Sequence, residues 1–197
     1  PPVTLGSSAV TPLCWSTGLI AVSDNGANGF VKRVAASGGD PEQLATTAIA
    51  SGGIAVASDG SMLIPEVTKT VSRIAATGVE LSGWQRPDLL GVVRTPLLLD
   101  SPRNPFVVAT TRGAVFALNS DGTVNWMGQI AGTNISLQPG NIFTPPGQPA
   151  NETLSTAYFA GSDGVLHAVI VDGRLDAAAP WPKAFHDPQN TNRAGPQ

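Results

Sequence analysis

The two histidines are the first residues to consider for chemistry. His186 directly precedes Asp187, and a neighbouring carboxylate can orient an imidazole for general-base catalysis. No serine or cysteine in a nucleophile-elbow motif accompanies the pair, so the alternative is a tail, His186–Thr191, that latches onto a neighbouring strand. His167 has no second histidine or cysteine at metal-ligand spacing, and we expect it at a blade surface. The histidines therefore predict no catalytic site.

Other side chains that could bind a ligand have equally plain structural alternatives. The run Asp24–Gly29 offers oxygen atoms around glycines but lacks the bidentate acid of a calcium loop, which favours a hairpin turn. Cys14 is the single cysteine; it excludes an intrachain disulfide or a CxxC motif and is expected to be a small buried hydrophobe. The four tryptophans could stack on sugars or fill gaps between packed sheets. We predict no catalytic residue, cofactor or metal.

Composition limits the class of partner. Only 13% of the residues are charged, the net charge is −3, and the 11 lysines and arginines are scattered, which argues against a nucleic-acid-binding face. No apolar run approaches the roughly 20 residues of a membrane span. A turn-rich composition with few charges is common in secreted and cell-surface β proteins, so we expect an extracellular, periplasmic or cell-surface location.

A repeated register indicates the fold. It begins at Val31, Val71, Val115 and Leu166, at intervals of 40, 44 and 51 residues. Each copy is a short strand that ends in a turn glycine, and a short β-rich run precedes it. A period of about 40–50 residues built from short strands is typical of β-propeller blades. The turn glycines are Gly38, Gly78, Gly122 and Gly173.

The repeat predicts an all-β chain of about four four-stranded antiparallel sheets within a single propeller segment, residues 1–197. We expect blades at 1–45, 46–88, 89–133 and 134–180, followed by a tail or latch at 181–197. Asp-Gly and Asn-Gly turns supply the positive φ that tight hairpins need.

The segment Val115–Trp126 resembles the repeat of quinoprotein-type (PQQ-like) β-propellers, and Gly161–Val169 is similar to the start of the same repeat. Pro180–Thr191 is similar to a segment that flanks such propellers in bacterial secreted proteins, which implies a bacterial source. The resemblance implies that a tryptophan near each blade's end docks onto the next blade, a role we assign to Trp84, Trp126 and Trp181. Quinoprotein enzymes also carry adjacent cysteines over the quinone and a calcium-binding set, and neither is found here. The resemblance thus implies the fold without the enzyme.

Four blades are fewer than the six to eight usual for this type of propeller. Three arrangements would account for the low blade number. The chain could close as a small four-bladed ring, two copies could pair, or blades of the same protein on another chain could complete the propeller. The last is preferred, with this chain as the C-terminal half of a larger propeller.

We therefore expect a non-catalytic binding or scaffold module with a protein partner. The alternatives are a fragment of a propeller enzyme completed by missing blades, and a carbohydrate-binding propeller. Two apparent insertions, Met62–Thr70 and Pro139–Glu152, are the expected contact loops. Their candidate contact residues are Met62, Glu66, Lys69, Pro139, Asn141, Pro146 and Asn151.

Overall fold

The computed structural model describes residues 8–15, 18–24, 26–35, 37–103, 105–149 and 153–184, with side chains described from residue 26 onward. These residues form fourteen strands and no helix, which confirms the all-β prediction. The strands are β1 Ser8–Trp15, β2 Gly18–Asp24, β3 Gly29–Ala35, β4 Glu42–Thr47, β5 Ala55–Val56, β6 Met62–Pro65, β7 Val71–Ile74, β8 Leu97–Leu98, β9 Phe106–Ala109, β10 Ala114–Leu118, β11 Val124–Gln129, β12 Asn141–Phe143, β13 Leu154–Ala160 and β14 Leu166–Asp172.

The strands pair only with their chain neighbours, and every pairing is antiparallel. They give four sheets: sheet 1 (β1–β4), sheet 2 (β5–β7), sheet 3 (β8–β11) and sheet 4 (β12–β14). Two sheets have three strands where four were expected. In sheet 2 the fourth strand is reduced to a single bridge between Ile74 and Glu80. In sheet 4 the chain leaves the sheet after β14. Leu175 then forms a bridge to Leu99 at the end of β8, and Trp181 forms a bridge to Val56 of β5. We call the first strand of each sheet (β1, β5, β8 and β12) its inner strand.

One expected loop is a strand. Met62–Thr70 was interpreted as an insertion in a hairpin, but Met62–Pro65 is β6 and pairs with both β5 and β7. All four of its residues are buried, because sheet 2 has a neighbouring sheet on each face. The connection itself is limited to residues 66–70.

The tripeptide Ser-Asp-Gly forms a turn at three places. In each, the aspartate carboxylate accepts a hydrogen bond from the backbone N–H two residues later, and the glycine has a φ between 77° and 86°. These bonds favour the charged form. The hydroxyl and backbone N–H of Thr123 lower the pKa of Asp121. Desolvation raises the pKa of Asp59, but hydrogen bonds from Ser61 and the charge of Arg73 bring it below its usual value.

Three apolar clusters lie between consecutive sheets, and one tryptophan packs in or against each. Trp181 is buried between sheets 1 and 2, Trp84 packs between sheets 2 and 3, and Trp126 packs between sheets 3 and 4. Trp84 meets Phe106 edge-to-face with ring centroids 5.6 Å apart. Every residue of β9 and β10 is buried. The core is therefore a series of sheet-to-sheet interfaces, as in a propeller.

The final described segment joins inner strands of different sheets. We call residues 174–183 the crossing segment. The Trp181 carbonyl accepts the Val56 N–H at 2.8 Å, and the Pro182 carbonyl accepts the Leu98 N–H at 2.7 Å. These bonds satisfy inner-edge backbone groups of β5 and β8 that would otherwise need other partners.

Glycine is required where neighbouring sheets approach closely. Gly78 has a φ of 88°, and a Cβ there would overlap the backbone carbonyl of Leu44 in sheet 1. We expect Gly78→Ala to lower the free energy of unfolding by about 2 kcal/mol or more, since an alanine pays roughly 1 kcal/mol for the left-handed backbone before any overlap. Gly164 is the matched control, because its φ is 77° and nothing lies within 4 Å of its added Cβ. Equal losses for the two variants in urea unfolding would show that the overlap costs nothing.

Candidate binding surfaces

The prediction of a loop at Pro139–Glu152 is wrong in part, because Asn141–Phe143 form β12 and pair with β13. The part of this loop after β12 and the turn 66–70 lie at opposite ends of the sheets. We call the end that carries turns 66–70, 110–113 and 161–164 the upper end. Each of these turns donates a backbone hydrogen bond to the segment that precedes an inner strand. In the first, the Val67 N–H donates to the Ile49 carbonyl at 2.9 Å. The loop 144–153 joins β12 to β13 at the other, lower end. A single small patch of a partner therefore cannot contact both loops.

A buried carboxylate supports the turn at 66–70. The Glu66 side chain is 0% exposed and accepts four hydrogen bonds. Its Oε1 accepts the Ser72 hydroxyl at 2.7 Å and the Ala48 N–H at 3.2 Å. Its Oε2 accepts the hydroxyls of Thr70 at 2.7 Å and Thr68 at 3.3 Å. The Glu66 carboxylate thus replaces its hydration with donors on both sides of the turn.

The burial of two predicted contact residues corrects the sequence interpretation. Glu66 holds the turn from beneath, and Met62 is 0% exposed in β6. Neither side chain is available to a partner. Both faces of β6 are covered by neighbouring sheets. Met62 within the strand is therefore apolar, and Glu66 directly after it needs hydrogen-bond partners for its carboxylate.

Lys69 is one of three exposed residues of this turn, together with Val67 and Thr68. Its φ is 69°, and it is the only non-glycine with a positive φ in the part of the chain that the structure describes. Its carbonyl accepts the Leu89 N–H at 2.9 Å, and its N–H donates to the Glu66 carbonyl at 3.2 Å. The turn therefore holds a lysine in a conformation that costs about 1 kcal/mol or more. We call residues 67–69 the tip.

A cavity of about 200 Å³ opens at the same end, beside the segments that receive these turn hydrogen bonds. Its lining comes from the segments before β5, β8 and β12 and from the crossing segment, and includes Arg94, Pro139 and Trp181. The Arg94 guanidinium donates to the Leu137 carbonyl at 3.0 Å and to the Ser136 hydroxyl at 2.8 Å. Sequence reasoning missed Arg94, whose position before an inner strand is the only signal that could have indicated it.

The other predicted contact residues are dispersed. Pro139 is half-buried at the cavity, Asn141 is half-buried in β12, and Pro146 is exposed on the lower-end loop. Asn151 lies outside the described residues. Of the predicted set, Glu66, Lys69 and Pro139 lie at the upper end, and Glu66 is buried there.

His167 lies at a sheet-to-sheet interface instead of a free blade surface. Its Nδ1 is 3.1 Å from the Ile130 carbonyl of sheet 3, and its Nε2 is 3.2 Å from Asp163. The backbone N–H of Val165 and the His167 ring lower the pKa of Asp163. No group of three or more histidine, cysteine, aspartate and glutamate side chains that could hold a metal occurs within the described ranges. Asn25, the Cys14 side chain and His186–Thr191 fall outside the described parts.

The three tryptophans whose side chains the structure describes occupy gap-filling positions. Trp181 is buried, while Trp84 and Trp126 are half-buried against apolar clusters. A ring packed between sheets has little face left for a sugar, so these positions give no support to a carbohydrate platform. No helix long and apolar enough to cross a bilayer is found among the residues described.

Comparison with known proteins identifies the fold. BamB from Moraxella catarrhalis superposes with a TM-score of 0.56 at 17% identity, over 81% of this chain and 42% of its own. Sqt1 from Saccharomyces cerevisiae superposes with a TM-score of 0.57 at 16% identity, over 80% of this chain and 42% of its own. Both are β-propellers. No protein-family model and no curated protein matches the sequence. The chain has the fold of part of a β-propeller and spans less than half the length of either solved propeller.

Proposed function

We propose that this chain is a non-catalytic protein-binding module, a PQQ-like propeller segment of an exported or cell-surface bacterial protein. The observation that carries the proposal is the tip: an exposed lysine held in a left-handed conformation above a fully buried, four-fold hydrogen-bonded carboxylate. Strain in an exposed turn is unfavourable for folding alone and is usually kept where a surface must be presented in one shape.

The tip has the chemistry of a small contact site. Val67 is exposed and apolar, and Lys69 adds a positive charge beside it. Because the turn is fixed before binding, a partner would pay little ordering entropy at this point. An acidic patch on a protein partner would complement Lys69. The proposed location outside the cytoplasm rests on composition, and fractionation of the native source would test it.

We expect Lys69→Glu to reduce capture of a protein partner from native extract by about tenfold, since a repulsive charge replaces an attractive one. The measurement is quantitative affinity capture followed by a binding titration with the purified partner. Arg103→Glu is the matched control, because Arg103 is an exposed cation in the connection between β8 and β9, at the lower end. Equal affinity of wild type and Lys69→Glu for every captured protein would overturn the role of the tip.

A further inference from the structure

Sheet 4 has an exposed apolar face. On β14, Leu166 is 64% exposed and Ile170 is 60% exposed, and Phe143 and Leu154 contribute on β12 and β13. Ser155, Ala157, Phe159 and Val171 point the opposite way and are buried. On the exposed side, positions 154, 156, 158 and 160 of β13 and positions 166, 168 and 170 of β14 carry no charged residue. We call this side the outer face of sheet 4. Exposed apolar surface of this kind normally marks an interaction site.

The repeat shows what this face corresponds to. Leu166 occupies the register position of Val31, Val71 and Val115, and each of those three valines is 0% exposed. Val31 is covered in the cluster between sheets 1 and 2, Val71 between sheets 2 and 3, and Val115 between sheets 3 and 4. In three of four sheets, therefore, the next sheet along the chain covers this position. Sheet 4 carries the same face with no sheet of the described chain on it.

A further sheet of the same kind would complete the pattern of the other three interfaces. The positions that pack back onto the preceding sheet are Phe116 and Leu118 in sheet 3 and His167 and Val169 in sheet 4. In sheet 1 the equivalent positions are Lys32 and Val34. Since Leu166 remains exposed, sheet 1 of the same chain does not reach the outer face, and the four sheets do not close into a ring.

We propose that the outer face of sheet 4 is covered by sheet 1 of a second copy of this chain. Two such contacts, related by a two-fold axis, close a ring of eight sheets, a size within the range of β-propellers. The chain spans 42% of each of the two solved propellers, so two copies supply most of the length that such a ring contains. The inference does not depend on the tip, which lies on a different surface.

The test is the oligomeric state of the purified 197-residue chain, measured by sedimentation velocity and native mass spectrometry at micromolar concentrations. We expect a dimer of twice 20.1 kDa, and we expect Leu166→Asp to weaken it by roughly 30-fold because the substitution buries an unpaired charge. Val79→Asp is the matched control: Val79 is 65% exposed in the turn that follows β7 and lies off the outer face, so the dimer of this variant should persist. Circular dichroism checks that both variants remain folded.

A second variant separates the two ways in which copies could meet. In a Cys14→Ser background, Ile170→Cys would form symmetric disulfides if two outer faces met each other, and would not do so if sheet 1 covers the face. A monomeric wild-type chain overturns the proposal, as does an Ile170→Cys disulfide dimer. A monomer that still binds a partner through Lys69 would leave the proposed function intact.

Discussion

Replacing Glu66 by alanine is expected to lower the free energy of unfolding by about 3 kcal/mol. The substitution leaves the hydroxyls of Ser72 and Thr70 and the Ala48 N–H without their acceptor in a buried site, and each buried donor without a partner costs about 1–3 kcal/mol. It also leaves a cavity beneath the turn. Urea unfolding monitored by tryptophan fluorescence measures the loss.

Glu80 is the matched control for Glu66. Both carboxylates lie near Arg86, but the Glu80 side chain is 44% exposed and its Oε1 accepts the Arg86 Nε–H at 2.6 Å. An exposed pair of this kind contributes about 0–1 kcal/mol, so Glu80→Ala should be nearly neutral. Similar losses for Glu66→Ala and Glu80→Ala would show that the arginine pair, and not the buried hydrogen bonds, stabilises the turn.

The second large effect is expected at Trp181. Trp181→Ala removes a buried ring from the cluster between sheets 1 and 2, and such truncations cost about 3–5 kcal/mol. The expected result is a lower urea midpoint together with faster hydrogen exchange of the Val56 amide, which donates to the Trp181 carbonyl. The exchange measurement ties the loss to the crossing segment.

Trp126→Ala provides the comparison. Trp126 is half-buried on β11 and packs against the cluster between sheets 3 and 4, so its truncation should cost less and leave exchange at Val56 unchanged. An unchanged Val56 exchange rate in Trp181→Ala would mean that the crossing segment is held by its backbone alone.

The sequence predicts the fold better than it predicts the surface. The register at Val31, Val71, Val115 and Leu166 identifies repeated strands because the first position is apolar in every copy, and in the first three copies its burial explains that choice. Turn glycines such as Gly78 are equally readable, since a positive φ restricts the residue type. These features arise from local constraints, and local constraints are visible in sequence.

The errors have two different origins. Met62–Pro65 is a strand whose apolar run directly follows a Ser-Asp-Gly turn, a signal that was available but was outweighed by the length of the unit. Glu66 looks like an exposed loop residue, and nothing in the sequence shows that four donors converge on it. Arg94 and the cavity depend on contacts between segments far apart in the chain. Tertiary contacts of this kind leave no local pattern.

The crossing segment also bears on how the protein is made. Val56 and Leu98 belong to early sheets, yet the carbonyls that their N–H groups reach belong to Trp181 and Pro182. During synthesis, sheets 2 and 3 emerge from the ribosome well before these partners do, and their inner edges stay open to other strands in the meantime. Final consolidation of the inner strands must therefore wait until residue 182 has left the exit tunnel, and until then these open edges are the part of the chain that a chaperone would protect.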